Sequence, residues 1–461
     1  MANNSTGQRE HWGTRLGFIL AAAGSAIGLG SVWKFPYITF DNGGGAFVIV
    51  YLICICLVGI PIMIAEIMIG KKTNLNPIGA FAALRGKTWW PIVGWMGLAA
   101  GFIILSYYTV IAGWTLEYVI KALMGTFKGL GLKESQDMFV GFLGNPYKQI
   151  GWHFGFSALT ALIILGGVSN GIERWNKILM PFLFLIIIAL MIYSLSTGAA
   201  NQAFKFLFHF SFKELTPHGC LEALGHSFFT LSLGMGAMIT YGSYLKREEE
   251  IVTSSILITF FDTFISICAC LVMYPIIFMA NVSPQEVKSI GIIFTAIPTI
   301  LAGLPGGSFV GFMFFVLVAF TGLVSAISLL EVVVACAVDQ LKWKRTKATL
   351  LSALVIFLFG IPSALSNGGV GWISKIVLFP KGGRWLNWLD SFDYLASNWF
   401  LPLGGLLIAL FAGWVLTRQE CRVEFLPNQS RSFLIWRLVI RYITPGLVLI
   451  VLLNKIGVIN L

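Results

Sequence analysis

Charge is what this chain has least of. Of its 461 residues only 11% are Asp, Glu, Lys or Arg, against about a quarter in an ordinary soluble domain. With 57% hydrophobic residues and a mean hydropathy of +0.84, that scarcity excludes a water-soluble globular protein. Acidic residues are the scarcer sign, 20 against 31 Lys and Arg, which leaves a formal net charge of +11. Histidine and cysteine are also few, five and seven. Cys54, Cys56, Cys268, Cys270 and Cys336 lie in apolar runs, and neither residue type has metal-ligand spacing, so they read as small core residues rather than a zinc site or a disulfide framework. The polar stretch Met1 to Glu10 lacks the apolar core and small-residue cleavage site of a signal peptide and is expected to stay on the cytoplasmic side. A membrane-embedded enzyme would need a nucleophile–base set or metal ligands at mid-span, and the sequence offers no such pairing.

What the chain does have is long apolar runs. About eleven are long enough to span a bilayer, near 16–38, 45–70, 91–124, 153–169, 175–196, 222–245, 252–280, 307–340, 347–366, 395–417 and 433–456. The fold class expected is an all-α polytopic membrane protein forming one domain over residues 1–461. Threaded from a cytoplasmic N-terminus, the densest basic clusters fall on inner loops: Lys71 and Lys72, Arg85 and Lys87, Lys246 and Arg247, and Lys342 to Lys347. The positive charge is thereby accounted for by an anionic lipid surface, and no nucleic-acid partner is called for. Between spans 7 and 8, Val287 to Leu304 is too short and interrupted to cross and reads as a helical hairpin over the outer face.

Two spans are interrupted. Gly24 to Pro36 places three glycines, two serines, a lysine and a proline in the middle of span 1. In a helix interior each Gly costs about 1 kcal/mol relative to Ala and Pro about 3. Within hydrocarbon, freed backbone groups survive only where they line a cavity or a site. Span 6 is interrupted by Gly234 and Gly236 among Thr230 and Ser232. Glycines also permit close helix packing, but packing does not account for the lysine and proline. The breaks lie five spans apart, an odd separation that puts the two helices in opposite orientations. This is the sign of an inverted repeat of spans 1–5 (about 16–196) and 6–10 (about 222–417), with span 11 (about 433–456) peripheral. Paired broken helices point to a transporter's midplane site.

Longer strings carry a resemblance. Arg9-Glu10-His11-Trp12, Gly28-Leu29-Gly30-Ser31-Val32-Trp33-Lys34-Phe35-Pro36-Tyr37 and Asn42-Gly43-Gly44-Gly45-Ala46-Phe47 resemble the first-span signature of the neurotransmitter:sodium symporter family. Phe229-Thr230-Leu231-Ser232-Leu233-Gly234 and Arg441-Tyr442-Ile443-Thr444-Pro445 are similar to its later motifs. The resemblance covers essentially the whole chain and is strongest to the bacterial amino-acid branch, implying the inner (plasma) membrane of a bacterium.

The resemblance implies an amino-acid site built from Ala26, Leu29, Gly30, Ile104, Tyr108, Phe229, Thr230, Ser232, Met235, Ser325 and Leu329. The substrate carboxylate would meet the backbone at Leu29 and Gly30 and the phenol of Tyr108, as free N–H groups at a half-helix N-terminus suit an anion. Gly28 stands where monoamine carriers have an aspartate, which favours substrates that bring their own carboxylate. Two sodium sites are implied: one from Ala26, Ser31, Thr230 and Asp262 with the substrate carboxylate, the other from Gly24, Ile27, Thr321, Val324 and Ser325. Relatives often have asparagine at Ser31 and a hydroxyl or carboxylate at Val324, so each change here removes a side-chain ligand. Near Tyr51, His226 and Ser266, where chloride-coupled relatives bind the anion, Asp262 would supply a fixed negative charge in its place. Chloride is therefore not expected as a cofactor.

Lys34 with Asp393 would form an outer gate, and Arg9, Tyr244 and Asp339, with Trp12 beneath, an inner latch. Glu66 would satisfy backbone freed by the break in span 6. Gly171 and Pro181, with nine residues between them, match a motif that lets span 5 unwind. The function implied is sodium-coupled import of a neutral hydrophobic or aromatic amino acid by alternating access, as a monomer or homodimer. The rival reading is a non-transporting amino-acid sensor or channel-like protein on the same scaffold.

Overall fold

A bilayer offers backbone N–H and C=O groups no water to bond, so apolar runs of this length satisfy them internally as helices. The computed structural model describes residues 9–211, 215–279, 291–376, 378–381 and 384–459. Eight of its helices are long and apolar enough to cross a membrane, at Gly45–Thr73, Pro91–Leu123, Val168–Leu195, Val252–Met279, Gly307–Leu341, Arg345–Leu365, Trp388–Val415 and Pro427–Lys455. A ninth crossing is the pair Arg15–Ala26 and Gly30–Asp41, bent by 53°. Where the fourth and sixth spans are expected lie the helix Pro146–Leu165 and the pair Pro217–Thr230 and Ala237–Gly242, which are not among the helices long and apolar enough to cross.

Span 4 starts earlier than its hydropathy suggests because Asn145 caps it, accepting from Lys148 N at 3.1 Å, with Pro146 in the first turn. One departure from an all-helical chain is a short antiparallel ladder pairing Phe379–Lys381 with Arg384–Leu386. The Gly-Gly pair between the two strands in sequence is a composition that two-residue hairpin connections favour.

Spans 3 and 8 are the longest helices, 33 and 35 residues, or roughly 50 Å each, and they lie along one another. Span 8 sits at the centre, with 83% of its most apolar window buried, against 39% for spans 5 and 11 at the periphery. The second half of span 6 meets span 2 backbone to backbone: a Cβ on Gly70 would overlap Ile239 O, and one on Gly242 would stand 2.6 Å from Ile67 O. Both positions therefore require glycine, and the half-helix is held where its break faces that of span 1.

Of the expected hairpin Val287 to Leu304, residues 287–290 lie outside the described residues. The remainder forms the helices Gly291–Phe294 and Ala296–Ala302. The Phe294 ring packs against Trp114, Tyr118, Phe139 and Phe315, and Ser135 donates to Thr295 O at 2.9 Å. These contacts fasten the segment to spans 3 and 8.

Candidate functional site

The site begins with backbone that has left the helix. Span 1 ends at Ala26, Ile27 turns out with ψ 84°, and the helix resumes at Gly30 in a π-helical turn running to Lys34. Span 6 ends at Thr230 and resumes at Ala237. Between them Gly234 and Gly236 take φ of +79° and +77°, and Ser232, a non-glycine residue, takes +54°. Such strain is sparse and concentrates at functional sites. Here it is held by contacts between the two breaks: Ser232 Oγ donates to Ser25 O at 2.7 Å. Glu66 of span 2, fully buried, accepts from Gly234 N at 2.7 Å. Its second oxygen has no hydrogen-bond partner among the described residues.

Between the breaks lies a cavity of about 30 Å³ lined by all eleven residues expected at the amino-acid site, together with Ser25 and Gly28. Its polar end is backbone and phenol, with Leu29 N donating to Tyr108 Oη at 3.3 Å. Its other walls are Ile104, Met235, Leu329 and the Phe229 ring. Beyond Phe229 and Tyr108 a wider space of about 240 Å³ extends past Lys34 to Asp393. Ser25 went unnoticed in the sequence because its contribution is a carbonyl, which any residue carries; its place between Gly24 and Ala26, inside the interrupted run, was the available signal.

Next to the cavity five groups converge. Ser31 Oγ donates to Asp262 Oδ1 at 2.6 Å and lies 2.8 Å from Thr230 Oγ1 and 3.4 Å from Ala26 O. Thr230 Oγ1 is 2.9 and 3.1 Å from the two Asp262 oxygens, and Tyr51 Oη reaches Asp262 Oδ2 at 3.3 Å. Asp262 is fully buried, as are Ser31 and Tyr51. An all-oxygen set of carbonyl, hydroxyls and one carboxylate suits a hard monovalent cation and gives the buried charge a reason to persist. His226 stacks on Phe35 at 5.6 Å and lies 5.8 Å from the Tyr51 ring; neither its ring nitrogens nor Ser266 Oγ has a hydrogen-bond partner among the described residues.

On the other flank of span 1, Ser325 Oγ reaches Gly24 O and Ser25 O at 3.3 Å and Ile27 O at 3.5 Å. Thr321 and Val324 share that face of span 8, one turn and one residue before it. The Thr321 hydroxyl donates within its own helix, to Val318 O at 2.8 Å. Val324 presents only methyls beside Gly24.

The two ends of the pathway differ. On the N-terminal face, Arg9 donates to Asp339 at 2.5 Å and to Ser243 Oγ at 2.6 Å, and its guanidinium lies 4.8 Å above the Tyr244 ring. Trp12 is pinned beneath by Nε1 to Tyr241 O at 2.9 Å and N to Tyr244 O at 3.1 Å. Glu331 of span 8 belongs to the same closure: it is fully buried, accepts from Tyr244 Oη at 2.6 Å and pairs with Arg345. On the opposite face Lys34 and Asp393 are not paired. Lys34 Nζ sits 4.9 Å over the Phe229 ring, and Asp393 accepts from Tyr107 Oη at 3.0 Å and Ser397 Oγ at 3.1 Å. A further space of about 320 Å³ separates Lys34 from the Asp390 and Asp393 side of span 10. Direct contacts thus close the N-terminal face, and open space lies between Lys34 and Asp393 at the other.

Comparison with known proteins agrees with this architecture. The model of the sodium:neurotransmitter symporter family matches residues 9–129 and 145–460. The chain is 37% identical over 454 residues to the uncharacterized sodium-dependent transporter YhdH of Bacillus subtilis, covering 97% of this chain and 98% of that one. It is 31% identical to an uncharacterized sodium-dependent transporter of Haemophilus influenzae, with 97% and 98% covered. Its structure superposes on the crystal structure of MhsT in complex with L-phenylalanine with a TM-score of 0.88, at 42% identity, over 97% of this chain and all of that one. Full-length agreement in both sequence and fold leaves one conclusion: the chain belongs to the sodium:neurotransmitter symporter family.

Proposed function

We propose that the chain is a sodium-coupled symporter that imports a neutral hydrophobic or aromatic amino acid, independently of chloride, across a bacterial plasma membrane. The N-terminus is cytoplasmic, and the unit is one domain of two inverted five-span repeats with a peripheral eleventh span. The observation that carries this reading is a sharing of residues: Ala26 and Thr230 belong both to the cavity wall and to the oxygen set around Asp262. A substrate carboxylate placed at Leu29 and Gly30 would complete that set, so ion and substrate would each raise the other's affinity. The apolar walls favour an uncharged side chain, and the similar structure holding L-phenylalanine supports an aromatic one. A hard cation of the second kind would sit by Gly24, Ile27, Thr321 and Ser325.

Transport then follows from two mutually exclusive closures. With the Arg9–Asp339 latch shut, substrate and sodium enter past Lys34 and Phe229. Closing Phe229 and drawing Lys34 to Asp393 seals that side. Rocking of the broken spans against spans 3 and 8 then parts the latch, and the inward sodium gradient makes the cycle directional.

Purified protein in proteoliposomes should accumulate labelled phenylalanine against its gradient when external sodium exceeds internal. Competition by unlabelled amino acids then ranks the substrates. Binding without accumulation would replace this reading by that of a sensor. A second expectation concerns Gly28, where an added Cβ would stand 2.7 Å from Ser325 Oγ and 3.3 Å from Tyr108 Oη. Gly28→Ala should weaken substrate binding by roughly tenfold or more, because overpacking a fitted site costs about 1–3 kcal/mol. Unlabelled-competition binding on the purified variant measures it, and unchanged affinity would place the carboxylate elsewhere.

A further inference from the structure

The flank of span 1 that faces span 8 carries a side-chain oxygen to which nothing above gives a task. Asn176 lies in span 5, fully buried. Its amide nitrogen donates to Ile172 O at 2.8 Å, which fixes the amide oxygen as the free end. That oxygen, Asn176 Oδ1, has no hydrogen-bond partner among the described residues. It stands 2.6 Å from the point a Cβ on Gly24 would occupy, and Val324 Cβ stands 3.2 Å from the same point. An amide oxygen left unpaired in hydrocarbon is costly unless something uses it. Few ligands are small enough to reach it here. The same point lies 3.3 Å from Met180 Sδ and beside the methyls of Val324, and on this flank the Gly24 and Ile27 carbonyls are gathered around Ser325 Oγ.

We infer that Asn176 Oδ1 is a sodium ligand of the second site, supplying from span 5 the side-chain oxygen that Val324 cannot supply from span 8. The assignment rests on the sodium-symport reading and deepens it. It also changes what holds the ion. Asn176 lies midway between Gly171 and Pro181, just beyond a π-helical turn at Val168–Glu173 that leaves span 5 one backbone bond out of register. A ligand carried on that segment leaves the site when the segment opens, so loosening span 5 and releasing sodium become one event.

The test uses the full-length purified chain in detergent, with sodium exchanged for choline at constant ionic strength and the thermal unfolding midpoint followed as sodium is raised. Specific binding to the folded state raises that midpoint in a concentration-dependent way. Asn176→Ala should shift the sodium concentration for half-maximal stabilisation upward by about tenfold, and adding Val324→Ser to that variant should recover most of the loss, since a single-site ligand stabilises as the logarithm of its concentration over Kd. An unshifted sodium response in Asn176→Ala, or a loss that Val324→Ser does not recover, overturns the assignment and makes Asn176 a packing residue. A native chain that sodium does not stabilise at all removes the symport reading and this assignment with it. Asn176→Asp guards against a variant that does not fold: it keeps the shape and the oxygen, and it should bind sodium at least as tightly as the native chain.

Discussion

Exchanging external chloride for gluconate is expected to leave sodium-driven uptake by the native chain unchanged, and to remove most of the uptake that remains in Asp262→Asn. The carboxylate of Asp262 is fully buried among Ser31, Thr230 and Tyr51, all of which reach it with hydroxyls at 2.6 to 3.3 Å. A buried charge at mid-span without a partner is costly, and on the proposed reading its partner is a cation bound beside it. Asparagine preserves the shape and one acceptor oxygen but removes the charge. At low sodium, uptake should fall about tenfold or more, because nearby opposite charges in a low-dielectric interior interact far more strongly than in water. The same substitution leaves Tyr51, Ser31, Thr230 and the unpartnered Ser266 hydroxyl around a neutral amide, a set of donors able to hold an anion. Added chloride should therefore stimulate the variant and not the native chain. Labelled uptake in the two media decides it: collapse of native uptake in gluconate would mean that Asp262 is not the fixed charge of the ion site.

Glu66→Leu is expected to abolish recovery of folded protein, whereas Glu66→Gln should retain it. The Gly234 N–H, freed where span 6 breaks, finds its acceptor in Glu66 at 2.7 Å, far from water. Leucine fills the space but offers no acceptor. Leaving a backbone donor unmet in such surroundings costs roughly 2–7 kcal/mol, set against a total stability of about 5–15 kcal/mol for a typical domain. The backbone from Ser232 to Gly236 already holds a non-glycine residue at positive φ, so little remains to absorb the loss. Glutamine keeps an oxygen for Gly234. Yield and monodispersity after detergent extraction measure both variants. A Glu66→Leu variant as well behaved as the native chain would show that Glu66 does not hold the break.

The asymmetry between the two ends of the pathway explains why the gates read differently from the rest of the site. Arg9 and Asp339 are 330 positions apart in sequence and in contact, whereas Lys34 and Asp393 face one another across a widened space. Both pairs rest on the same kind of sequence signal, opposite charges at the ends of spans. If each pair is a gate, as proposed, it is closed in only some of the states that one sequence encodes, and here Arg9 and Asp339 are in contact while Lys34 and Asp393 are not.

Much of the architecture was legible in residue order alone, because it depends on local properties. The length of an apolar run decides whether a helix crosses, and glycines inside such a run mark where one cannot continue; hence the long apolar helices, the two breaks and the residues around them. The family resemblance then implied Tyr108, Phe229 and Asp262, whose neighbourhood the structure brings together. Packing across long stretches of sequence decided the remainder. That Ser25 offers its carbonyl to Ser232, that Glu331 meets Tyr244 and Arg345, and that the free oxygen of Asn176 stands against Gly24 are contacts between residues 14 to 207 positions apart. Sequence periodicity carries no information about which face of one helix meets which face of another. Only the folded bundle sets those distances, and a sodium ligand is defined by distance.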